Sequence, residues 1–239
     1  MPRTLEQWTV LPHDPPRRVT DDILTVVGEI GMPLMTLPRR MTVVRLRDGR
    51  LVVFSAIALA EAEMKRLEDF GTPAFLIVPN DHHRMDAMAW KQRYPAIRVI
   101  APPWARAAVE EVVPVDATAA DFGDPSVRLV IVPGTGGREA ALEVRRPGGL
   151  TLVINDVIGN IRDAHGFGGW LLRRMGFAGD EPHLPAPVRL AMVEDKQALR
   201  RQLLAWAGDP ALCRVLVSHG EPIEEDAPRA LRQVSEALA

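Results

Sequence analysis

Side chains that bind metals or transfer protons follow three apolar runs of this 239-residue sequence. Asn80-Asp81-His82-His83 follows the run FLIV, with Asp86 shortly after. Asp156 follows TLVI, and His219 follows RVLV. Imidazole and carboxylate groups bind zinc and iron, and they also act as general acids and bases. These residues therefore predict either a metal centre or an acid–base site.

The same residues stand where buried strands are expected to stop. Four apolar runs, FLIV, LVIV, TLVI and RVLV, each end at polar or glycine residues. Ligand sites of open α/β sheets gather at the carboxyl ends of the strands. Four such stops in one chain therefore predict a shared site at one sheet edge.

The segments around these strands predict a layered α/β protein. MTVVRL and LVVFSAI flank Asp48-Gly49, which is typical of a β-hairpin. LAEAEMKRLEDF predicts a helix that ends at Gly71, and VRLAMVEDKQALRRQLLAWA predicts the longest helix. The proline-rich residues 1–40 are expected to form an irregular N-terminal wrap. We expect a single α/β domain over residues 1–239.

Composition excludes several classes of partner. A formal net charge of -2 and the lack of a basic run argue against nucleic-acid binding. The single cysteine, Cys213, excludes a disulfide framework and a cysteine-rich zinc module. The N-terminus does not resemble a signal peptide, and no apolar stretch is long enough to span a membrane. We therefore expect a cytoplasmic protein with no membrane contact and an unknown small molecule as its partner.

The order of the strand ends resembles the metallo-β-lactamase superfamily. There, successive strand ends carry a His-x-His-x-Asp-His loop, a Pro-Gly-His turn, a Gly-Asp turn and a final histidine. The matching stretches here are PNDHHRM, PGTGG, IND and VSHGEPI. The stretches MTVVRLRDGRLVVFSAI and WKQRYPAIRVIAPP resemble an uncharacterised, mainly bacterial branch of the superfamily, a domain of unknown function. The resemblance runs from about Met41 to Ile223 and implies a four-layer αββα sandwich.

Carried over residue by residue, the resemblance leaves an incomplete metal motif. His82, Asp156 and His219 match superfamily ligands. Four other ligand positions carry Asn80, Arg84, Met85 and Thr135. A two-metal site holds its ions about 3.5–4 Å apart and needs a full ligand set. A dinuclear hydrolase site is therefore not expected.

The resemblance implies at most one metal ion, zinc or iron. His82, Asp156 and His219 would form a set of two histidines and one carboxylate, which suits zinc with an open position or iron(II). In the superfamily pattern His82 and His219 serve different metals, so a single ion would lie between them or recruit another ligand. His83 and Asp86 are the further candidates. In a hydrolase, Asp156 and His219 would also be catalytic, and Arg84 could stabilise a developing oxyanion.

A protein without any metal is the other interpretation left open. Asn80 or Asp81 would then cap a helix, Asp156 would close a turn, and His219 would pin a strand end. Function accordingly divides between a metal-dependent hydrolase with an incomplete site and a non-catalytic module that binds a small molecule or a protein. Fold alone does not decide between them.

Overall fold

The structure, a computed structural model, describes residues 4–32 and 34–239. The chain divides into two compact units. The first contains Met1–Glu29 and Arg39–Pro125, and the second contains Ile30–Pro38 and Ser126–Ala239. That the whole chain acts as a single domain stays a prediction.

The first unit is built on a six-stranded sheet in the order β1-β2-β3-β4-β5-β6. Its strands are β1 Arg17–Thr20, β2 Ile23–Met32, β3 Met35–Arg45, β4 Arg50–Phe54, β5 Thr72–Ile77 and β6 Arg98–Ile100. Its helices are α1 Glu61–Phe70, α2 Ala87–Arg93 and α3 Arg106–Glu110. The adjoining ends of β2 and β3 belong to Ile30–Pro38 and thus group with the second unit.

Local sequence explains most of this first unit. β3 and β4 pair antiparallel around Gly49, whose φ of 85° suits a tight turn, so the predicted hairpin is confirmed. β4, β5 and β6 then run parallel, joined through α1 and α2. The helices bury one apolar face against the sheet, with Met64, Leu67 and Trp90 almost fully inaccessible to solvent.

The second unit contains a four-stranded sheet in the order β10-β9-β8-β7. Its strands are β7 Val127–Ile131, β8 Ala140–Arg146, β9 Gly149–Asn160 and β10 Leu212–Gly220. Its helices are α4 Gly166–Arg174, α5 Ala186–Met192, α6 Lys196–Ala207 and α7 Ala227–Glu236. One sheet face packs against α5, α6 and α7 in a second apolar core, which includes Ile154, Leu199, Val217 and Leu231.

Two expectations about these elements were wrong. Residues 1–40 are not simply an irregular wrap, because β1, β2 and the start of β3 fall within them and pair in the sheet. The predicted longest helix is divided into α5 and α6. The break is held by Asp195, whose carboxylate caps α6 by accepting the N–H of Ala198. Across the described residues, no helix is long and apolar enough to cross a membrane.

Candidate functional site

Asp156 lies in a bulge of β9, in the second unit. β9 pairs parallel with β10 through Ile154 opposite Val217, and pairing resumes with Gly159 opposite His219. Residues 155–158 of β9 therefore lie opposite a single residue of β10. The predicted strand stop at Asp156 is thus wrong, because the strand bulges there and continues to Asn160. Bulges redirect side chains and are frequent beside functional sites.

His219 lies beside Asp156, on β10. Its Nε2 is 3.1 Å from Asp156 Oδ1, and both side chains are largely buried. Its Nδ1 is 2.7 Å from the carbonyl oxygen of Pro38, to which it donates. A backbone carbonyl on one ring nitrogen fixes the tautomer and directs the other nitrogen toward its partner. The structure therefore brings two of the three predicted metal ligands into direct contact.

Gly220 keeps the strand end after His219 close to β9. Its φ is 100°, and a Cβ at this position would lie only 2.1 Å from the carbonyl oxygen of Asn160. Glu221 donates its N–H to the same Asn160 oxygen, at 2.9 Å. Any larger residue would push β10 away from β9. The His-Gly pair thus positions the imidazole through a close backbone approach.

Glu139 completes the polar cluster, and sequence reasoning did not select it. It precedes β8 and is fully buried, with its carboxylate accepting the N–H groups of Asp156 and Val157, each at 3.1 Å. These bonds satisfy backbone groups that the bulge removes from the strand ladder. Burial raises the pKa of Glu139 well above its ordinary value, and the neighbouring Asp156 carboxylate raises it further. The one available signal was that Glu139, an acidic residue, stands directly before the apolar run AALEV.

The Glu139 carboxylate and the side-chain amide of Asn155 are both fully buried in this cluster. That carboxylate forms no ion pair with any residue the structure describes. Asn155, next to Asp156, is completely buried, and neither its amide nitrogen nor its amide oxygen has a hydrogen-bond partner in residues 4–32 and 34–239. Buried polar groups normally have partners. Two carboxyl groups, one imidazole and an unpaired amide are chemistry that suits a bound cation or polar ligand.

The loop after β5, in the first unit, contains His82 and His83, and the two rings have different partners and different exposure. Asn80 Oδ1 accepts the N–H groups of His82 and His83, at 2.9 and 3.1 Å, and so closes the turn. The His82 ring lies 2.9 Å from an Asp81 oxygen and its side chain is 59% exposed. The His83 Nδ1 lies 2.7 Å from the hydroxyl of Ser55, a buried residue with a φ of 56°.

Ser55 combines two unusual features. A non-glycine residue with positive φ is uncommon, and such strain tends to persist where the surrounding structure requires it. Its backbone N–H donates to the carbonyl oxygen of Ile77 at 3.1 Å, which fixes the turn after β4. The hydroxyl is thereby directed to the His83 ring. Ligating histidines commonly have such a partner on their second nitrogen.

Arg84 and Asp86, the other predicted site residues of this loop, bind partners in the first unit. The Arg84 guanidinium donates to the carbonyl oxygen of Ala108 and to Glu111. Asp86 accepts from Arg39 at 2.5 Å and from the N–H of Ala58 at 3.3 Å. Both side chains are therefore engaged in fixing α3 and the start of α2 to the rest of the unit.

The Pro-Gly-Thr turn carries no ligand. Thr135 is buried and donates its hydroxyl to the carbonyl oxygen of Val132 at 2.8 Å, which closes the turn. Gly134 accepts the N–H groups of Glu194 and Asp195, and a Cβ on Gly134 would lie 2.3 Å from the Asp195 oxygen. The turn therefore packs tightly against the start of α6. A threonine hydroxyl used in this way does not replace a ligating imidazole.

Asp156 and His219 together could hold a metal ion. Asp156 and His219 offer a carboxylate oxygen and an imidazole nitrogen beside a buried acid, which is suitable chemistry for zinc or iron(II). The side chains of Asn80, Arg84 and Thr135 are instead bonded within turns or to α3. The ligands that a second ion would need are therefore not supplied by these three described residues.

No protein-family profile and no curated protein matches the sequence. Solved structures do match. The metallo-β-lactamase FIM-1 from Pseudomonas aeruginosa, in its mono-zinc form, is 11% identical with a TM-score of 0.64, over 95% of this chain and 96% of that one. A metallo-β-lactamase from Erythrobacter litoralis is 13% identical with a TM-score of 0.63, over 93% and 96%. One from Hirschia baltica is 11% identical with a TM-score of 0.59, over 94% and 98%.

The similarity spans almost the full length of each chain, so it includes both sheets and the helices that cover them. Identities of 11–13% carry the fold and not the activity. The predicted αββα class is confirmed, and the chain has the metallo-β-lactamase fold.

Proposed function

We propose that this chain is a metal-dependent hydrolase with a mononuclear site. The observation that carries the proposal is the contact between Asp156 and His219 beside the buried carboxyl of Glu139. Acidic groups packed together in a low-dielectric interior repel one another, and a cation bound by Asp156 would relieve that repulsion. We propose Asp156 and His219 as its ligands, with one histidine of the loop after β5 as the third, as expected from the sequence.

The choice of His83 over His82 rests on how each ring is held within the first unit. His83 is partly buried and bonded to Ser55, in the manner of a ligand with an orienting partner. His82 is more than half exposed and lies against Asp81. The sequence alone favoured His82, with His83 as a further candidate. Both assignments are proposals that the same pair of variants tests.

Two histidines and one carboxylate suit catalytic zinc with an open position, or iron(II). Zinc is the first metal to test, because FIM-1 with the same fold was solved in a mono-zinc form. When bound, such an ion lowers the pKa of a coordinated water to about 7 and polarises the bond under attack. Asp156 and His219 would hold the ion, Ser55 would orient His83, and Glu139 would fix the backbone that carries Asp156.

Metal content tests the ligand set. The protein should be purified without a histidine tag, loaded with zinc, desalted and measured by elemental analysis. We expect about one zinc per chain in the parent and in His82→Ala, and well under half of that in His83→Ala and His219→Ala. His165→Ala, at an exposed histidine, is the matched control for an unrelated imidazole. Unchanged zinc occupancy in His219→Ala would contradict the proposed site. If, of the two loop histidine variants, only His82→Ala loses zinc, the third ligand is His82, as the sequence alone favoured.

Ser55→Ala tests the orienting role separately. Loss of a group that hydrogen-bonds a metal ligand typically weakens metal binding about 10- to 100-fold. We expect zinc affinity to fall within that range, measured by competition with a chromophoric chelator, while circular dichroism stays that of the parent. Equal affinity in parent and variant would remove Ser55 from the site.

Hydrolysis itself needs its own assay. Zinc-loaded protein should be screened against esters, thioesters, lactones and lactams, and any activity should disappear with chelator and with His219→Ala. Activity that persists in both would show that the reaction does not use this site. One zinc per chain without turnover of any of these classes would contradict a hydrolase of the kinds tested.

A metal-free binding module is the alternative, and one observation favours it. Both ring nitrogens of His219 lie within hydrogen-bond distance of protein oxygens, on Pro38 and Asp156. A histidine held in this way can pin a strand end without any ion. In that case chelator should leave the melting temperature unchanged, whereas a bound metal at about 100 times its Kd adds about 2.7 kcal/mol of stability.

A further inference from the structure

The outer face of α4, in the second unit, carries an exposed aromatic pair. Phe167 and Trp170 are 63% and 58% exposed. Their rings are stacked, with centroids 5.7 Å apart and an interplanar angle of 26°. Residues three apart in a helix lie on the same face, so the two rings form one surface feature. Contiguous apolar patches on a protein surface often mark an interaction site, whereas single exposed side chains do not.

The segment Ile30–Pro38, which belongs to the same unit, adds to this surface. A Cβ on Gly168 would lie 3.1 Å from the carbonyl oxygen of Leu34, so this segment packs directly on α4 next to Phe167. Leu34 is 72% exposed, whereas Met35 and Leu37 pack inward on a small core formed by Ile161, Leu172 and Ala178. We call Leu34, Phe167 and Trp170 the apolar tip.

Positive charge borders the apolar tip. The last turn of α4 contains Arg173 and Arg174, and the helix contains no acidic residue. Arg174 is exposed and forms no ion pair with a described residue, while Arg173 is held by Asp180 and by the carbonyl oxygen of Arg162. Short segments with Trp, Phe and Leu on one side and arginine beside them are typical of helices that lie in a membrane interface.

We propose that the apolar tip docks this protein on the surface of an anionic lipid bilayer. Leu34, Phe167 and Trp170 would enter the boundary between headgroups and acyl chains, and Arg174 would remain at the level of the phosphates. Such docking needs no membrane-spanning helix, so the hydropathy of the sequence does not bear on it. It is also independent of whether the candidate metal site is occupied.

A second copy of the chain fits the apolar tip less well. A stable interface buries at least about 1,000 Å² in total, and an aromatic side chain contributes about 150–250 Å² when fully buried. Two rings that are about 60% exposed and one leucine supply only a fraction of that area. Pockets for small ligands are concave and largely enclose the molecule, whereas these three side chains are mostly open to solvent.

Vesicle co-sedimentation tests this proposal with zinc-loaded and metal-free protein alike. We expect binding to vesicles that contain phosphatidylglycerol, weaker binding to pure phosphatidylcholine, and a decrease as salt is raised. The double variant Phe167→Ser/Trp170→Ser should lose at least about tenfold in partition coefficient, because both inserting rings are removed. Trp104→Ser is the matched control, since Trp104 is 50% exposed in the first unit, and it should bind like the parent.

Any of three results would overturn the proposal. The first is a parent protein that sediments with neither kind of vesicle, and the second is a double variant that binds as well as the parent. The third is a dimer, detected by light scattering, that the double variant alone loses, since this would assign the apolar tip to self-association. Circular dichroism and melting of each variant show whether it is folded. Arg174→Ser offers a second, milder variant that should weaken only the binding to anionic vesicles.

Discussion

Both units bury acidic side chains, but the groups that surround these side chains differ between the units. In the first unit, Asp86 faces the guanidinium of Arg39 at 2.5 Å, and both side chains are almost inaccessible to solvent. In the second unit, Glu139 and Asp156 lie together, and Nε2 of His219 lies 3.1 Å from Oδ1 of Asp156. The first arrangement pairs opposite charges, whereas in the second the Asp156 carboxylate raises the pKa of the buried Glu139.

The difference in surrounding charge distinguishes Arg39–Asp86, a structural ion pair, from the candidate site at Asp156 and His219. A buried carboxylate that is paired and also accepts a backbone N–H, as Asp86 does from Ala58, fixes local geometry. A cluster with like charges, a perturbed carboxyl pKa and an unpaired buried amide is where function is expected. Of the two predicted carboxylate ligands, Asp156 therefore lies beside a second carboxyl group and an imidazole, whereas Asp86 is held in a charge pair.

The largest expected effect comes from breaking the balanced pair. Arg39→Met should lower the free energy of unfolding by about 3–5 kcal/mol at neutral pH, because it leaves Asp86 buried without its cation. Urea denaturation measures the change. Arg66→Met is the control, since the Arg66–Glu63 pair is on the surface and should contribute less than about 1 kcal/mol. A loss of similar size in both variants would mean that Arg39–Asp86 has no special structural role.

A smaller effect is expected in the cluster of Glu139, Asp156 and His219. Glu139→Gln places an NH2 group where an oxygen accepts a backbone N–H from Asp156 or Val157, which should cost about 1–3 kcal/mol. It should also weaken zinc binding, because the bulge that presents Asp156 is less well fixed. Glu225→Gln, at an exposed position, should change neither quantity. Unaltered stability and zinc affinity in Glu139→Gln would show that Glu139 does not position Asp156.

Much of the fold could be predicted from the sequence because the signals are local. The hairpin around Asp48-Gly49, α1 with its stop at Gly71, and the apolar strands each follow from short patterns of residues. The division between α5 and α6 could not be predicted in this way. It depends on the carbonyl oxygen of Gly134, which accepts N–H groups of residues about 60 positions later in the chain.

The candidate site was only partly predictable, for a related reason. Asp156 and His219 follow apolar runs, so their positions were visible, and the two side chains are in contact although Asp156 lies in a bulge of β9 and not at its end. Glu139 acts through backbone N–H groups on another strand, and no spacing rule indicates such a bond. The orientations of His82 and His83 are set by Asp81 and Ser55, which adjacent histidines in a sequence cannot reveal.

The smallest predicted effect is a pH dependence that distinguishes the two kinds of carboxyl group. Burial raises the pKa of Asp86 more than Arg39 lowers it, so the folded state holds its proton more tightly than the unfolded chain does. The resulting stability is fully present below about pH 4 and is lost as pH rises through the raised pKa. The loss is about 1.4 kcal/mol for each tenfold difference in proton affinity between the folded and unfolded states. Asp86→Asn should remove this slope from urea titrations carried out above about pH 4.

Asp209 is the comparison of opposite sign, because its bond to Arg145 lowers its pKa. Its contribution is present above the pKa of the unfolded chain and is lost as pH falls through the lowered folded value. Asp209→Asn should therefore remove stability at neutral pH and leave the acid end of the titration unchanged. Identical slopes in the parent and Asp86→Asn would mean that Arg39 offsets the burial of Asp86 completely. The first unit would then be more fully balanced than the raised pKa of Asp86 implies.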